Sequence, residues 1–515
     1  MRVKGLHSLR GVPARRQAGG QRPTVLMFNT KGVFTLRFPR IELFDEHGLD
    51  MQTIRSLKLV IVAVAFGIIN MNIVTGIAMA SYFRSLGASD FIFGLMFAIG
   101  PVISPMQVVA SYVLERTRKR KQLFLTFGLI QRMVWLPFGL VPFIVPMEFT
   151  TLRIWMVSLF LLISAFSGPF MNVAFVSLAA DLVPAHIRGR YFAVRMRVFT
   201  IMGILGGIFT AWMLDSFPPF YSYAMVFTLA AIAGSMDILC FIGVKFPEMP
   251  KLPDGENREK FFSMLKKVLA NKPYMRFILF MTFWMFSVNL STPFILVHLR
   301  EGVQLSNTLI TIAVQILPNI CSVMIVMRWG RILDSHGNKA TMQLANGIMC
   351  LAPFLWIFTT NNAISVVFIM IIGLMQGLLI PAFDLGANNI LIGHAPKVNR
   401  SMYMAVYFML TSIIGVGLAN ATGGWLLENV FYIFENQQMS LLGVTLTRYS
   451  YLFALTAILR CIIIYIALPK MLKEEEDKAA NTAISLLKDI IATHKHRNRR
   501  RWAVLMYRLK HRNSR

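Results

Sequence analysis

Twelve blocks of apolar residues, most of them twenty or more residues long, decide what this chain can become. They fall at about 57–82, 89–114, 121–145, 152–183, 190–214, 221–245, 274–299, 306–329, 339–360, 362–394, 400–427 and 447–469. A helix of about 20 residues rises about 30 Å, the thickness of a bilayer's hydrocarbon core. Within that core a segment must satisfy its own backbone N–H and C=O groups, and runs of this length do so as helices. Composition agrees: of 515 residues 56% are hydrophobic and 15% charged, against about a quarter charged in soluble domains. The expected fold is an all-α integral membrane protein with twelve transmembrane helices.

The polar, Pro-bearing segment 246–273 divides these spans six and six. The expected organisation is a basic tail over 1–56, a six-helix bundle over 57–245, a central loop over 246–273, a second bundle over 274–469 and a basic tail over 470–515. A net charge of +28 raises the question of nucleic acid, but its placement answers otherwise. Ten bases against four acids lie in 1–56 and thirteen against five in 469–515, which together account for half of it. The remainder concentrates in short even-numbered loops such as ERTRKRK (115–121), HIRGR (186–190) and HAPKVNR (394–400). Odd-numbered loops such as DSFPPFYS (215–222) are poor in bases. By the positive-inside rule the even loops and both termini are expected in the cytoplasm, in a cell (inner) membrane. The stretch 494–512 mixes bases with an apolar stripe, fitting either an anionic inner leaflet or a solvated tail.

The first thirty residues have no apolar h-region, so no secretory signal is expected there. They read as a disordered basic tail, an Arg-rich transit peptide, or sequence upstream of a start near Met51. The four cysteines sit inside apolar spans without metal-ligand spacing, so they read as small buried hydrophobes and no metal is expected. No phosphate loop, H-E-x-x-H, paired catalytic carboxylates or Ser/His/Asp set is present. An enzyme is not expected, nor any cofactor.

The two halves repeat one another. Setting 169–203 against 381–415, an offset of 212, aligns Pro169 with Pro381, Pro184 with Pro396, Arg188 with Arg400, Tyr191 with Tyr403 and Gly203 with Gly415. Earlier in each half an offset of 219 sets Ser111, Glu115, Arg118 and Arg120 against Gly330, Asp334, Gly337 and Lys339. The second set belongs to GRILDSHGNK (330–339), a charged, glycine-bracketed turn between two apolar runs. Its pattern G-x-x-x-D-x-x-G-x-[RK], between spans two and three of a six-helix half, resembles the signature loop of the major facilitator superfamily. Pro-x-x-x-Arg between spans four and five of each half resembles that family's other cytoplasmic loop. The resemblance implies two pseudo-symmetric six-helix bundles and a small solute moved by alternating access. It implies that Gly330 allows close helix approach, Asp334 pairs with a base or helix N-terminus, and Gly337 supplies the turn. The first-half loop departs from the pattern at Ser111, Glu115 and Arg118.

The resemblance also places spans 1, 4, 7 and 10 around a central cavity. Offset 219 matches Asn70 on span 1 to Asn289 on span 7, and offset 212 matches Asn172 on span 4 to Asp384 on span 10. Asn172 and Asp384 lie twelve residues before Pro184 and Pro396, roughly 18 Å into the membrane at about 1.5 Å per residue. Asn70 and Asn289 lie at about 20 Å by the same measure. All four are expected in one layer facing a shared chamber, against the plainer reading of asparagines that bond neighbouring helices. Asp384 is a candidate proton-coupling group, a partner for a cationic solute, or half of a static bridge to Arg195 or Arg197. Gln107, Gln315, Asn319, Gln376 and Arg195 are further cavity candidates. Arg132 and Asp237, at similar depth on spans 3 and 6, read as a structural bridge at the periphery. Arg460 on span 12 has no acidic partner in the sequence and reads as a snorkelling side chain. Pro101, Pro105, Pro169, Pro318 and Pro381 read as kinks, and GILGG (203–207) and GVGLANATGG (415–424) as places of close backbone approach. The expected function is a monomeric secondary transporter of a small solute. The rivals are a transport-inactive sensor or assembly factor of the same fold, and a flippase for a lipid or lipid-linked sugar.

Overall fold

A computed structural model describes residues 49–184, 186–247, 261–395, 400–435, 440–441 and 444–468. Residues 1–48 of the tail expected over 1–56, the tail expected over 470–515, residues 248–260 of the central loop and Pro396 lie outside the described residues. Residues 51–56 of the expected tail belong to the first helix. Among the described residues, twelve helices long and apolar enough to cross a membrane run over Met51–Ser85, Asp90–Thr117, Arg120–Ile144, Thr150–Ala179, Arg188–Ser216, Pro219–Gly243, Lys272–Gly302, Asn307–His336, Asn338–Ile357, Ala363–His394, Met402–Phe434 and Arg448–Ile466. They are spans 1 to 12 below. The one departure from all-α among the described residues is a short ladder pairing Ser440–Leu441 with Val444–Thr445, between spans 11 and 12.

Polar residues at the ends set the helix boundaries. Asp50 accepts a hydrogen bond from the Thr53 N–H at 3.2 Å, so span 1 starts at Met51, six residues ahead of its apolar block. Ser89, Asn271, Ser306 and Asn362 cap spans 2, 7, 8 and 10 in the same way, and Thr447 with Ser450 forms a capping box on span 12. Span 1 breaks at Gly76 between helices Met51–Thr75 and Ile77–Ser85, and span 2 breaks at Ser104–Pro105. Pro169 and Pro381 sit inside uninterrupted helices, so the chain does not break at either. Ile312–Ile316, just before Pro318, is π-helical, as is Thr411–Leu418.

Where the core sits differs between the two faces of the molecule. Toward the odd-numbered loops, one apolar cluster joins both bundles: Tyr82, Phe93, Phe138 and Phe227 of the first bundle with Phe294 and Phe453 of the second. Phe93 and Phe294 meet across the interface at 5.5 Å between ring centroids. Toward the even-numbered loops the core is divided, with Leu57, Phe124, Leu178 and Tyr191 in the first bundle. Tyr274, Phe277, Phe383 and Tyr403 form a separate cluster in the second.

Spans 2 and 11 touch most closely at the odd-loop end. A Cβ on Gly94 would overlap the Asn420 carbonyl, and one on Gly424 would overlap the Asp90 carbonyl. Asn420 also donates to the Phe97 carbonyl at 3.1 Å. Spans 5 and 8 are tied by Asp215, which accepts from both N–H and side chain of Asn307 and Thr308 at 2.7–2.9 Å. That carboxylate seats on the first turn of span 8, where the free amides and the helix dipole favour it.

Candidate functional site

The odd-loop end is closed by a charge cluster spanning both bundles. Arg84 of span 1 binds Glu301 of span 7 through two hydrogen bonds of 2.8 and 2.9 Å, and reaches Asp90 at 3.0 Å. Arg448 of span 12 reaches the other Asp90 oxygen at 3.0 Å. Glu428 of span 11 accepts from the Phe91 N–H at 2.8 Å. The Asp90 side chain is only 3% exposed, so its charge depends on the two guanidiniums facing it.

Nothing comparable joins the even-loop ends among the described residues. Arg120 pairs with Asp181 at 2.7 Å, inside the first bundle. Glu115 and Asp334 are exposed and make no ion pair there. Arg188 bonds the Val183 carbonyl at 3.3 Å, and Arg400 opens the helix Arg400–Leu410. Gly337 takes φ +83°, turning the chain between spans 8 and 9 ahead of Asn338 and Lys339. Arg118, opposite it in the repeat, carries φ +55° without being glycine. The close approach expected at Gly330 is not found: nothing lies within 4 Å of a Cβ built there. The bundles stand apart at this face. Ser111 lies on the second helix of span 2, which packs against span 4 of its own bundle.

Two cavities open in the interior and meet at Thr75, which lines both. The first, about 500 Å³, is lined by the break at Gly76 in span 1 and by spans 7, 8, 9, 10 and 12. The second, about 400 Å³, lies within the first bundle among spans 1, 3, 4, 5 and 6. Both fall in the size range of small-molecule sites.

Of the four residues expected in one layer, Asn70 and Asn172 line the second cavity and Asp384 the first. Asn289 lines neither. It is the last residue of helix Lys272–Asn289, and its Nδ2 donates to its own helix at Met285 O, 2.8 Å away. The single shared chamber is thus corrected to two adjoining ones, because a repeat offset fixes height along a helix and not the direction a side chain faces. Asn70 is 1% exposed. Its Nδ2 donates to the Ala230 carbonyl at 2.9 Å and its Oδ1 accepts from Arg132, which bonds Asp237 at 3.0 Å. Arg132 and Asp237 are paired, yet they line the second cavity and are not peripheral.

Gln315 and Gln376 line the first cavity. Gln315 donates to Asn72 Oδ1 at 2.8 Å, and Asn72 in turn donates to the Gly203 carbonyl at 2.6 Å, so one polar chain crosses from bundle to bundle. Arg195 lines the second cavity with its guanidinium 5.2 Å from the Phe175 ring centre. Gln107 and Asn319 are exposed on spans 2 and 8 and line neither cavity.

Sequence reasoning missed Arg460. Expected to snorkel, it is buried, lines the first cavity and lies 6.0 Å from the Trp284 ring centre. It stands twelve residues beyond Arg448, roughly 18 Å from the odd-loop end. That count was available, and a side chain at such depth does not reach either interface.

A bundle pair of twelve membrane helices, closed at one face over solute-sized cavities, defines a membrane transporter scaffold. A family model described as Major Facilitator Superfamily matches residues 59–383 and 285–509, and the chain belongs to that family. A point mutant of the nucleoside transporter NupG is similar in structure at 14% identity and TM-score 0.61, over 82% of this chain and 100% of that one. A bacterial homologue of the human lysosomal transporter Spinster, inward-facing and unoccupied, gives 12% and 0.61 over 84% and 100%. A bacterial homologue of the iron transporter ferroportin gives 11% and 0.55 over 82% and 99%. No curated protein matches the chain in sequence.

Proposed function

We propose that the chain is a monomeric secondary transporter that moves a small solute by alternating access, with its even-numbered loops in the cytoplasm. The observation that carries this reading is the unequal closure of the two faces. One apolar core and one charge cluster join the bundles at the odd-loop end, while at the even-loop end each bundle keeps its own core. Such a molecule has two arrangements of the same bundles, over 57–245 and 274–469, and the conformation described is the one open to the cytoplasm. Cytoplasmic placement of the even loops rests on their bases. Asp384, which makes no ion pair among the described residues and lines the first cavity, is the proton-coupling group. Asn172, Gln315, Gln376 and Arg195 are the further cavity groups a solute would meet.

The test is proteoliposome flux with pyranine inside to report protons, during addition of a panel of small zwitterionic, anionic, cationic and neutral solutes. Solute-dependent proton movement is expected and is lost in Asp384→Asn, while exchange of the same solute persists at saturating concentration. A protein that moves no solute and no protons in any arm supports the transport-inactive rival. Solute movement unaffected by Asp384→Asn rejects the coupling role alone.

A further inference from the structure

The first cavity holds unused hydrogen-bond donors on one wall and an unpaired carboxylate on another. Arg460 is 7% exposed, and among the described residues its Nε has no hydrogen-bond partner and no acid lies within ion-pair distance. Asn346 of span 9 lines the same cavity at 2% exposure, and its Nδ2 is likewise without a partner. A buried guanidinium and a buried amide N–H left unmade are each costly. Both are donors, so what satisfies them is an acceptor, and a guanidinium calls for an oxyanion held by paired N–H groups. Asp384 faces this cavity from span 10, accepting no hydrogen bond among the described residues, and is not bridged to Arg460. Trp284, Trp356 and Met285 give the remaining lining an apolar, aromatic character.

We infer that the first cavity binds a small zwitterionic solute. Its oxyanion, a carboxylate or phosphate, sits on Arg460 and Asn346 Nδ2, its cationic group faces Asp384, and its apolar body lies against Trp284. Arg460 and the ionised Asp384 line one space without pairing, so a ligand carrying both opposite charges neutralises both at once, whereas a singly charged ligand leaves one of them bare. Trp284 holds the guanidinium in place through its ring face. This assignment names the solute class of the transporter proposed above and rests on that reading for its physiological meaning, though binding itself does not require transport.

The experiment measures thermal stabilisation of the purified full-length protein by four matched probes. These are phenylalanine (zwitterion), phenylalaninamide (cation only), N-acetylphenylalanine (anion only) and N-acetylphenylalaninamide (neutral). A fifth probe, the aminophosphonate analogue of phenylalanine, distinguishes a phosphate seat from a carboxylate seat, and tighter binding by either identifies the oxyanion. Phenylalanine or its phosphonate is expected to bind at least about tenfold tighter than any probe lacking one charge, the worth of one charge-assisted hydrogen bond. Arg460→Gln is expected to erase the advantage of the oxyanion, Arg460→Lys to keep part of it, and Asp384→Asn to erase the advantage of the ammonium. Equal stabilisation by all probes, or by none, overturns the assignment, and so does an oxyanion preference that survives Arg460→Gln. The comparison among probes on the unaltered protein stands even where a variant fails to fold. Zwitterion binding without flux keeps this site and defeats the transporter reading, while flux of neutral solutes alone does the reverse.

Discussion

Asp90→Asn should open the odd-loop end. The substitution keeps the shape of the side chain and removes the charge that Arg84 and Arg448 share, each at 3.0 Å. The carboxylate is 3% exposed, while Arg84 and Arg448 are 18% and 21% exposed, so water screens one side of each pair. Deleting one partner of a fully buried pair costs about 3–5 kcal/mol, and exposed pairs contribute about 0–1 kcal/mol. Arg84 and Asp90 both belong to the first bundle, so only the Arg448 pair weighs on closure, and its intermediate setting gives about 1–2 kcal/mol against the closed odd-loop end. At about 1.4 kcal/mol per tenfold, that moves the balance between the two arrangements by roughly 5- to 30-fold. An odd-open state near 1% would rise to roughly 5–20%. Asp90 also stands in the first turn of span 2, where an acid contributes about 0.3–1 kcal/mol to the helix. That loss is common to both arrangements and does not alter their ratio. Spin labels at Glu148→Cys and Asn361→Cys, exposed odd-loop positions on opposite bundles, would report the change in a background lacking the four native cysteines. A longer distance component is expected in Asp90→Asn, with a shorter one between Thr117→Cys and Ser335→Cys at the even-loop face. An unchanged distribution in a folded variant refutes the reasoning that this cluster holds the face shut.

Gly424→Ala should act in the same direction, because its Cβ would overlap the Asp90 carbonyl and push span 11 from span 2; the same label pair reads it. Asp215→Ala removes four hydrogen bonds to the start of span 8 and should add to Asp90→Asn nearly independently in the same label distances, since it acts on spans 5 and 8 and not on 1, 2 and 12. Arg132→Met should lower stability by about 3–5 kcal/mol by stranding Asp237 in the first bundle, and Arg132→Met with Asp237→Leu should recover much of that, as measured by thermal unfolding in detergent. Gln315→Ala breaks the polar link to Asn72 across the bundles and should cost about 1 kcal/mol, read by a small increase in the odd-open component.

The fold was legible because lipid imposes so few solutions: apolar length gave the spans, and the turn at Gly337 marks span 8 from span 9 as the repeat predicts. Pairing of Arg132 with Asp237 could be read as well, since two lone charges at equal depth within one bundle have few alternatives. The odd-loop cluster could not. Arg84 and Glu301 are 217 residues apart, and nothing in either sequence neighbourhood specifies the other. Asn289 was misjudged for a local reason: span 7 breaks directly after it, between helices Lys272–Asn289 and Thr292–Val297, so its amide turns back onto Met285. For Arg460 the depth was in the sequence and the explanation was wrong, because snorkelling requires an interface within reach.

Side-specific labelling of Asn172→Cys tests the central claim most directly. In oriented vesicles of a variant lacking the native cysteines, a membrane-impermeant maleimide should modify this cavity position from the even-loop face only. Adding Asp90→Asn should admit the reagent from the odd-loop face. Modification from the odd-loop face without Asp90→Asn would contradict the account of a molecule sealed there and open opposite.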